Sequence, residues 1–219
     1  MLINPFEGLQ GLIKEIYPNL NSKTFDPNYL KIRAILAPRN EEIDYINNTI
    51  LSEIKSDKKI YRSADIIIPQ NDEKFDQETL YTPEFLNSLT LPSLPPHSLQ
   101  LKNNTPILLL RNLDQRRELC NGTKLIVKNL GQRVIEAQIT IGSNIQENVI
   151  IPRISMTSKK NDMPFILKRK QLPIQIAYAM TKIKVNVKHL IILVYIYIHQ
   201  YFHMDNYMLQ FLELRQLLL

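Results

Sequence analysis

Cys120 is the only cysteine in this 219-residue chain. That excludes an intrachain disulfide framework and suits a reducing compartment. Neither Gly-x-x-x-x-Gly-Lys-Ser/Thr nor Gly-x-Gly-x-x-Gly occurs anywhere, so the chain has no glycine-rich amide cradle for nucleotide phosphates at a helix N-terminus. The longest apolar run, Leu190–Ile198, is nine residues, against the roughly 20 a membrane-spanning helix needs. Met-Leu-Ile-Asn-Pro-Phe-Glu-Gly at the start lacks the charged and apolar regions of a secretory signal. These absences predict an intracellular protein with no membrane partner.

What is present is apolar content of 44%, enough for a real core in one large domain or two small ones. The formal net charge of +6 permits a polyanionic partner without demanding one. Its distribution says more: Arg153 to Lys188 carries nine bases against one acid, Asp162.

Ile32–Ala37 is an apolar run closed by Pro38, the pattern of a buried strand. Asn40 is placed to cap a helix with Glu41 and Glu42 in its first turn and Ile43, Ile46, Ile50 and Ile54 along one face. A strand feeding a helix predicts an α/β element in a parallel sheet. Ile60–Ile68 reads as a second strand, and Pro69–Tyr81 as an acidic surface loop. From Phe85 the texture changes. Leu91-Pro-Ser-Leu-Pro-Pro96 forbids a regular element. Short β segments follow at Ile107–Arg111, Lys124–Lys128, Arg133–Ile141 and Asn148–Ile154, with turns at Asn121-Gly122, Gly131 and Gly142. This predicts a small antiparallel barrel or sandwich inserted in an α/β domain, with Pro173–Thr181 as the strand returning to the parallel sheet. Beyond Thr181 the chain turns into Lys-Ile-Lys-Val-Asn-Val-Lys and an apolar, Tyr-rich tail of different character.

Candidate chemistry is sparse. His199 and His203 have helical i, i+4 spacing but no Glu beside the first and no third ligand nearby, so no metal site is expected. Asn121-Gly122 reads as a turn, because both residues tolerate positive φ. Cys120 has only Arg116 and Arg117 near it, which favours an idle thiol over a nucleophile. Lys168-Arg169-Lys170 fits phosphate binding through counterion release, or equally a solvated loop. Tyr178 fits a packed core ring better than a base-stacking one, given the alternation around it. No catalytic residue is assigned.

The wording of the sequence carries a resemblance that its periodicities do not. Pro-Glu-Phe-Leu-Asn-Ser-Leu, Leu-Pro-Pro-His-x-Leu-x-Leu-Lys, Pro-Ile-Leu-Leu-Leu-Arg-Asn-Leu-Asp and Leu-Cys-Asn-Gly-Thr-Lys-Leu occur within residues 83–127. Together they resemble the Pif-one type ATP-dependent DNA helicases, particularly the branch expanded in Helitron transposons. Ile35-Leu-Ala-Pro-Arg-Asn40 resembles the first strand of that family's second RecA-like domain, and Ala177-Tyr-Ala-Met-Thr181 the strand entering its fifth helicase motif.

The resemblance implies an α/β fold: an incomplete second RecA-like domain interrupted by a small, Src-homology-three-like β-barrel (domain 2B). Residues 1–29 would be a linker from a missing first RecA-like domain. Residues 30–82 would be the first part of the second, 83–168 the segment with the 2B insertion, and 169–181 the return strand. The family unwinds DNA with ATP and Mg²⁺, acts in repair, recombination and telomere maintenance, and works in the nucleus. This chain alone is expected to bind neither ATP nor Mg²⁺ and to have no small-molecule substrate. Weak single-stranded DNA binding is expected instead. The resemblance points to Arg39, Asn40 and Thr181 as contacts, and charge alone adds Lys168, Arg169 and Lys170. A binding module without catalysis and a non-functional pseudogene product are the alternatives.

After Ala-Met-Thr the family continues Ile-Asn-Lys-Ser-Gln-Gly-Gln-Thr-Leu and later His-Gly-Gln-Leu-Tyr-Val-Ala-x-Ser-Arg-Val, and neither occurs here. A shifted frame, taking the last base of each codon with the first two of the next, recovers both. Lys182–His189 then permits Asn-Lys-Ser-Gln-(Arg or Cys)-Gln-Thr-Leu, and His203–Leu214 permits His-Gly-Gln-Leu-Tyr-Val-Ala-Val-Ser-Arg-Val. The Arg or Cys in place of a motif glycine is a mismatch. Residues 182–219 are therefore read as an out-of-frame tail. On that reading Lys182, Lys184, Lys188, His199 and His203 are accidents of translation, and six bases from Arg153 to Lys170 remain meaningful.

Overall fold

A computed structural model describes residues 8–23, 29–30, 33–68, 81–91, 94–140, 142, 144–159, 162–181 and 192–195. Within the stretch read as linker, α1 (Gly8–Ile16) and α2 (Leu20–Lys23) form two short helices. Leu12, Ile13, Ile16, Tyr17 and Leu20 are buried, so this segment contributes to the core.

The expected strand and helix are β1 (Arg33–Leu36) and α3 (Asn40–Glu53). Ile43, Ile46, Ile50 and Ile54 are all buried, as their spacing predicts. Asn40 is not the cap. Helical geometry begins at Asn40 itself, and Arg39 occupies the cap position without a side-chain cap bond. Glu41 and Glu42 supply the negative charge that the N-terminal dipole favours.

The stretch 58–68 differs from expectation. It is two strands, β2 (Lys58–Arg62) and β3 (Ala64–Ile68), broken at Ser63, and neither joins a parallel sheet. The helix α4 (Pro83–Ser88) leads to β4 (Ser98–Lys102), which pairs antiparallel with β2. The physical reason lies in the residues. Lys58-Lys-Ile-Tyr-Arg62 exposes one face and buries Tyr61 on the other, an antiparallel pattern, whereas a parallel strand covered on both sides is apolar throughout.

The insertion is β5 (Pro106–Leu109), β6 (Lys124–Leu130), β7 (Val134–Ile139) and β8 (Asn148–Pro152), followed by β9 (Ile154–Thr157), β10 (Ile166–Gln171), β11 (Ile174–Ile176) and β12 (Ala179–Met180). Strands β11-β5-β6-β7-β8 form a five-stranded antiparallel sheet, and among the described residues no pairing of β11 with β8 closes it into a barrel. The turn at Asn121-Gly122 is present, with Gly122 at φ 90°. Strands β3-β10-β9 form a second antiparallel sheet. The boundary expected between 168 and 169 therefore runs through the middle of one strand, β10.

The return strand is also divided. Ile174–Ile176 pairs antiparallel with β5, and only Ala179–Met180 reaches the parallel sheet beside β1. Ala177 and Tyr178 form the crossing between the two sheets, both fully buried. Tyr178 is the core tyrosine its alternation suggests. On the other side of β1, β13 (Ile192–Tyr195) pairs parallel, giving the order β12-β1-β13. The remainder of the tail, His199 and His203 included, and the loop 69–80 lie outside the described residues.

One continuous core holds both parts. Leu12, Ile35, Ile46 and Ile54 from the α/β segment and Leu99, Leu125, Ile135 and Ile151 from the β insertion share a single cluster. A smaller cluster lies under β3-β10-β9: Ile67, Leu86, Leu91, Leu94, Met156, Phe165 and Leu167. Two buried lysines tie the β insertion to the α/β segment. Lys102 Nζ donates to the carbonyl of Ile54 at the end of α3, and Lys124 Nζ to those of Leu30 and Arg33 at 2.8 and 2.9 Å. Burial pushes the Lys124 ammonium down to about 7 and lowers that of Lys102.

Candidate nucleic-acid interface

Six residues were singled out as nucleic-acid contacts, and the fold sorts them into three places. Arg39, Asn40 and Thr181 gather at one edge. Ile35 pairs with Ala179 and Leu36 with Met180 in parallel register, and Ala37 N–H donates to the Met180 carbonyl at 3.2 Å. Pro38-Arg39 and Thr181 therefore leave the sheet side by side at the carboxyl ends of β1 and β12, where open α/β sheets receive ligands. Arg39 and Asn40 are exposed and Thr181 is half-buried. The Arg39 side chain is 70% exposed, and its Nε contacts Glu42 Oε1 at 3.1 Å, so a carboxylate already shares this cation.

Lys168 and Lys170 lie elsewhere, on the outward face of β10. Lys168 sits opposite Ile66 and Thr157, and Lys170 opposite Ala64 and Ser155. Ile66, Ala64, Ser155, Thr157 and Lys170 are exposed, so this sheet face is open, cationic and hydroxyl-bearing.

Arg169 is a correction. Alternation along β10 turns it inward, where it is 0% exposed. Its Nε and Nη2 grip the Asp65 carboxylate at 2.7–3.1 Å. The same guanidinium donates to the carbonyls of Leu89 and Pro95 through Nη1 and of Leu86 through Nη2. A buried guanidinium so engaged has no donor left for a phosphate. Its role is to tie α4 and the proline-rich loop to the β3–β10 strand pair. In a charge run on a strand, period two assigns the middle residue to the opposite face.

Beside that ion pair lie Ser63 and His97. Ser63 Oγ donates to Asp65 Oδ1 at 2.7 Å and lies 2.8 Å from His97 Nδ1. The hydroxyl and the carboxylate face the same ring nitrogen, with Nδ1 3.8 Å from Asp65 Oδ2. A nucleophile relay needs them on opposite nitrogens, so this is a structural cluster.

Asn47 is the residue that the sequence reading overlooked. It is buried on α3, among the isoleucine stripe, and its carboxamide bonds the backbone just before Thr181. The signal available was a polar side chain inside an apolar helical face, which requires a partner.

Among the described residues no group of three or more His, Cys, Asp or Glu could hold a metal ion, and no helix is long and apolar enough to cross a membrane. With no glycine-rich phosphate loop in the sequence either, the described residues do not fit a nucleotide–Mg²⁺ pair.

The comparisons follow the same lines. The family model for the 2B domain of the DNA helicase Pif1 matches residues 84–130. A crystal structure of the Pif1 helicase from Candida albicans is similar over 82% of this chain and 44% of its own, at 20% identity and a TM-score of 0.50. Pif1 of Bacteroides bound to ssDNA covers 83% of this chain and 40% of its own, at 17% identity and 0.48. Unliganded Pif1 from Bacteroides sp covers 70% and 42%, at 18% and 0.48. No curated protein matches the chain. The chain spans less than half the length of these structures. Residues 84–130 thus match the model of the Pif1 2B domain, and the chain around them is similar in fold to part of the Candida albicans Pif1 structure.

Proposed function

We propose that this chain is a segment of a Pif1-type DNA helicase that retains single-stranded DNA contacts and does not hydrolyse ATP by itself. The observation that carries the reading is the convergence of Arg39, Asn40 and Thr181 at the carboxyl end of β1 and β12, in a chain whose β insertion matches the Pif1 2B domain. The Pif1 of Bacteroides, of similar fold, has a structure with ssDNA bound. Phosphates would meet Arg39 at the edge and Lys168 and Lys170 on the β10 face. Arg169 is withdrawn from the set by its burial. Catalysis would need a phosphate loop, Mg²⁺ and a charge-stabilising arginine, and this chain has no phosphate loop. Nuclear location and roles in repair, recombination or telomere maintenance belong to the same proposal, as does the Helitron branch.

Residues 182–219 are proposed to be an out-of-frame tail. Support comes from two motifs recovered in one shifted register. The encoding nucleotides test it: bases that cannot spell both motifs in that frame refute it. For activity, the test is an ATPase assay of the purified chain with and without an oligonucleotide. No turnover is expected in either case, and robust DNA-stimulated turnover refutes the reading.

A further inference from the structure

Among the described residues β12 is the outer strand of its parallel sheet, and no described strand pairs with the backbone groups of Ala179 that point away from β1. Asn47 supplies that pairing. Its Oδ1 accepts from Ala179 N–H at 2.8 Å, and its Nδ2 donates to the carbonyls of Ala179 and Ile176 at 3.1 and 3.2 Å. The carboxamide thus bonds Ala179 as one peptide unit of a neighbouring strand would. The other side of the crossing is held as firmly. Tyr178 carbonyl accepts from Ile35 N–H at 2.9 Å and from the Tyr17 hydroxyl at 2.8 Å, and Ala177 N–H donates to Pro106 carbonyl at 2.9 Å.

The position of Asn47 on α3 matters as much as its bonds. Asn40 is seven residues earlier, two helical turns, and so on the same helix face about 10 Å nearer the N-terminus. α3 runs back along the strands, so that distance corresponds to about three strand residues at ~3.3 Å each. Asn40 therefore stands within about one strand residue of the level of Thr181 when Asn47 is bonded to Ala179.

We propose that Asn47 is a positioning residue for DNA: by clamping Ala179 it holds Thr181 in register with Arg39 and Asn40, so that one strand of nucleic acid meets all three. This rests on the DNA reading above. Without the clamp, Ala179 has unpaired polar groups in a buried place, and β12 is held to β1 by its ladder bonds alone, which loosens the register of Thr181.

The test uses the full chain, a fluorescent oligothymidylate and hydrogen exchange at the Ala179 amide. Asn47→Ala, measured well below its melting point, should lose protection at Ala179 and weaken oligonucleotide binding about tenfold, with a shallower salt dependence. Folded N47A with the affinity and salt slope of the unmodified chain overturns the proposal. Should N47A not fold, Asn47→Asp decides it. That variant keeps the acceptor for Ala179 but sets a carboxylate against two carbonyls, and protonation restores one donor. Its affinity relative to the unmodified chain should recover as pH falls, and a ratio that stays constant with pH overturns the proposal. Absence of binding by the unmodified chain refutes the DNA reading itself. In that event the clamp is judged by exchange alone, and unchanged protection at Ala179 overturns it.

Discussion

Arg169 and its neighbours Lys168 and Lys170 show how far one position can change the meaning of a base. Arg169→Met leaves the buried Asp65 carboxyl without its guanidinium, with the Ser63 hydroxyl and His97 beside it, and should cost about 3–5 kcal/mol in urea unfolding, the range for breaking a buried pair. Lys168→Ala with Lys170→Ala should leave the unfolding midpoint nearly unchanged and make the log-log salt slope of DNA binding shallower by roughly 1–2. A double variant that unfolds like R169M contradicts the assignment. At the other edge, Glu42 competes for Arg39 at 3.1 Å. Glu42→Gln should tighten oligonucleotide binding a few-fold, and weaker binding contradicts a phosphate role for Arg39. Lys124 gives the chain a pH signature. Its folded value is depressed to about 7 from an ordinary 10.5, so between these the unfolded chain binds more protons. Stability should rise with pH from about 7 to 9.5, each unit of difference being worth about 1.4 kcal/mol at most. Above that range the buried Tyr17 and Tyr178, raised by burial, oppose it, because the unfolded chain loses their protons first. Lys124→Met should flatten the rise seen in denaturant midpoints.

At the scale of elements, α3 is held by one face. Ile46→Ala should destabilise by about 2–4 kcal/mol, whereas Tyr45→Ala, at an exposed neighbour, should stay within about 0.5 kcal/mol in the same urea measurement. That face was legible because Ile43, Ile46, Ile50 and Ile54 follow a period no strand can satisfy. The strands of the insertion were legible from alternation and turns for the same reason. What escaped was pairing. Ile60–Ile68 shows alternation but not its partners, and those partners, β4 and β10, lie roughly 40 and 100 residues further along. Likewise Pro173–Thr181 reads as one apolar strand, yet Ala177 and Tyr178 break it between two sheets. The edge residues Arg39, Asn40 and Thr181 were found through the resemblance. Asn47 was visible only as an anomaly, a polar side chain on a buried stripe, until the backbone it bonds was in view.

For the whole molecule, the shared core and the two lysine ties make the β insertion and the α/β segment one mechanical unit. A single melting transition with coincident probes is therefore expected from differential scanning calorimetry and circular dichroism. Two separated transitions contradict a shared core. The pairing of β13 with β1 means that part of the segment after Thr181 completes the parallel sheet. The proposed out-of-frame origin of that segment is compatible with a strand position, since a parallel strand asks chiefly for apolar, β-compatible residues. The proposed DNA contacts are read out by oligonucleotide titration of the full chain across salt, without ATP. With Arg39, Lys168 and Lys170 as the cationic contacts, log affinity should fall linearly with log salt at a slope near −2, from about 0.7 per phosphate on a single strand. Affinity that is indifferent to salt, or no binding even at low salt, contradicts those contacts.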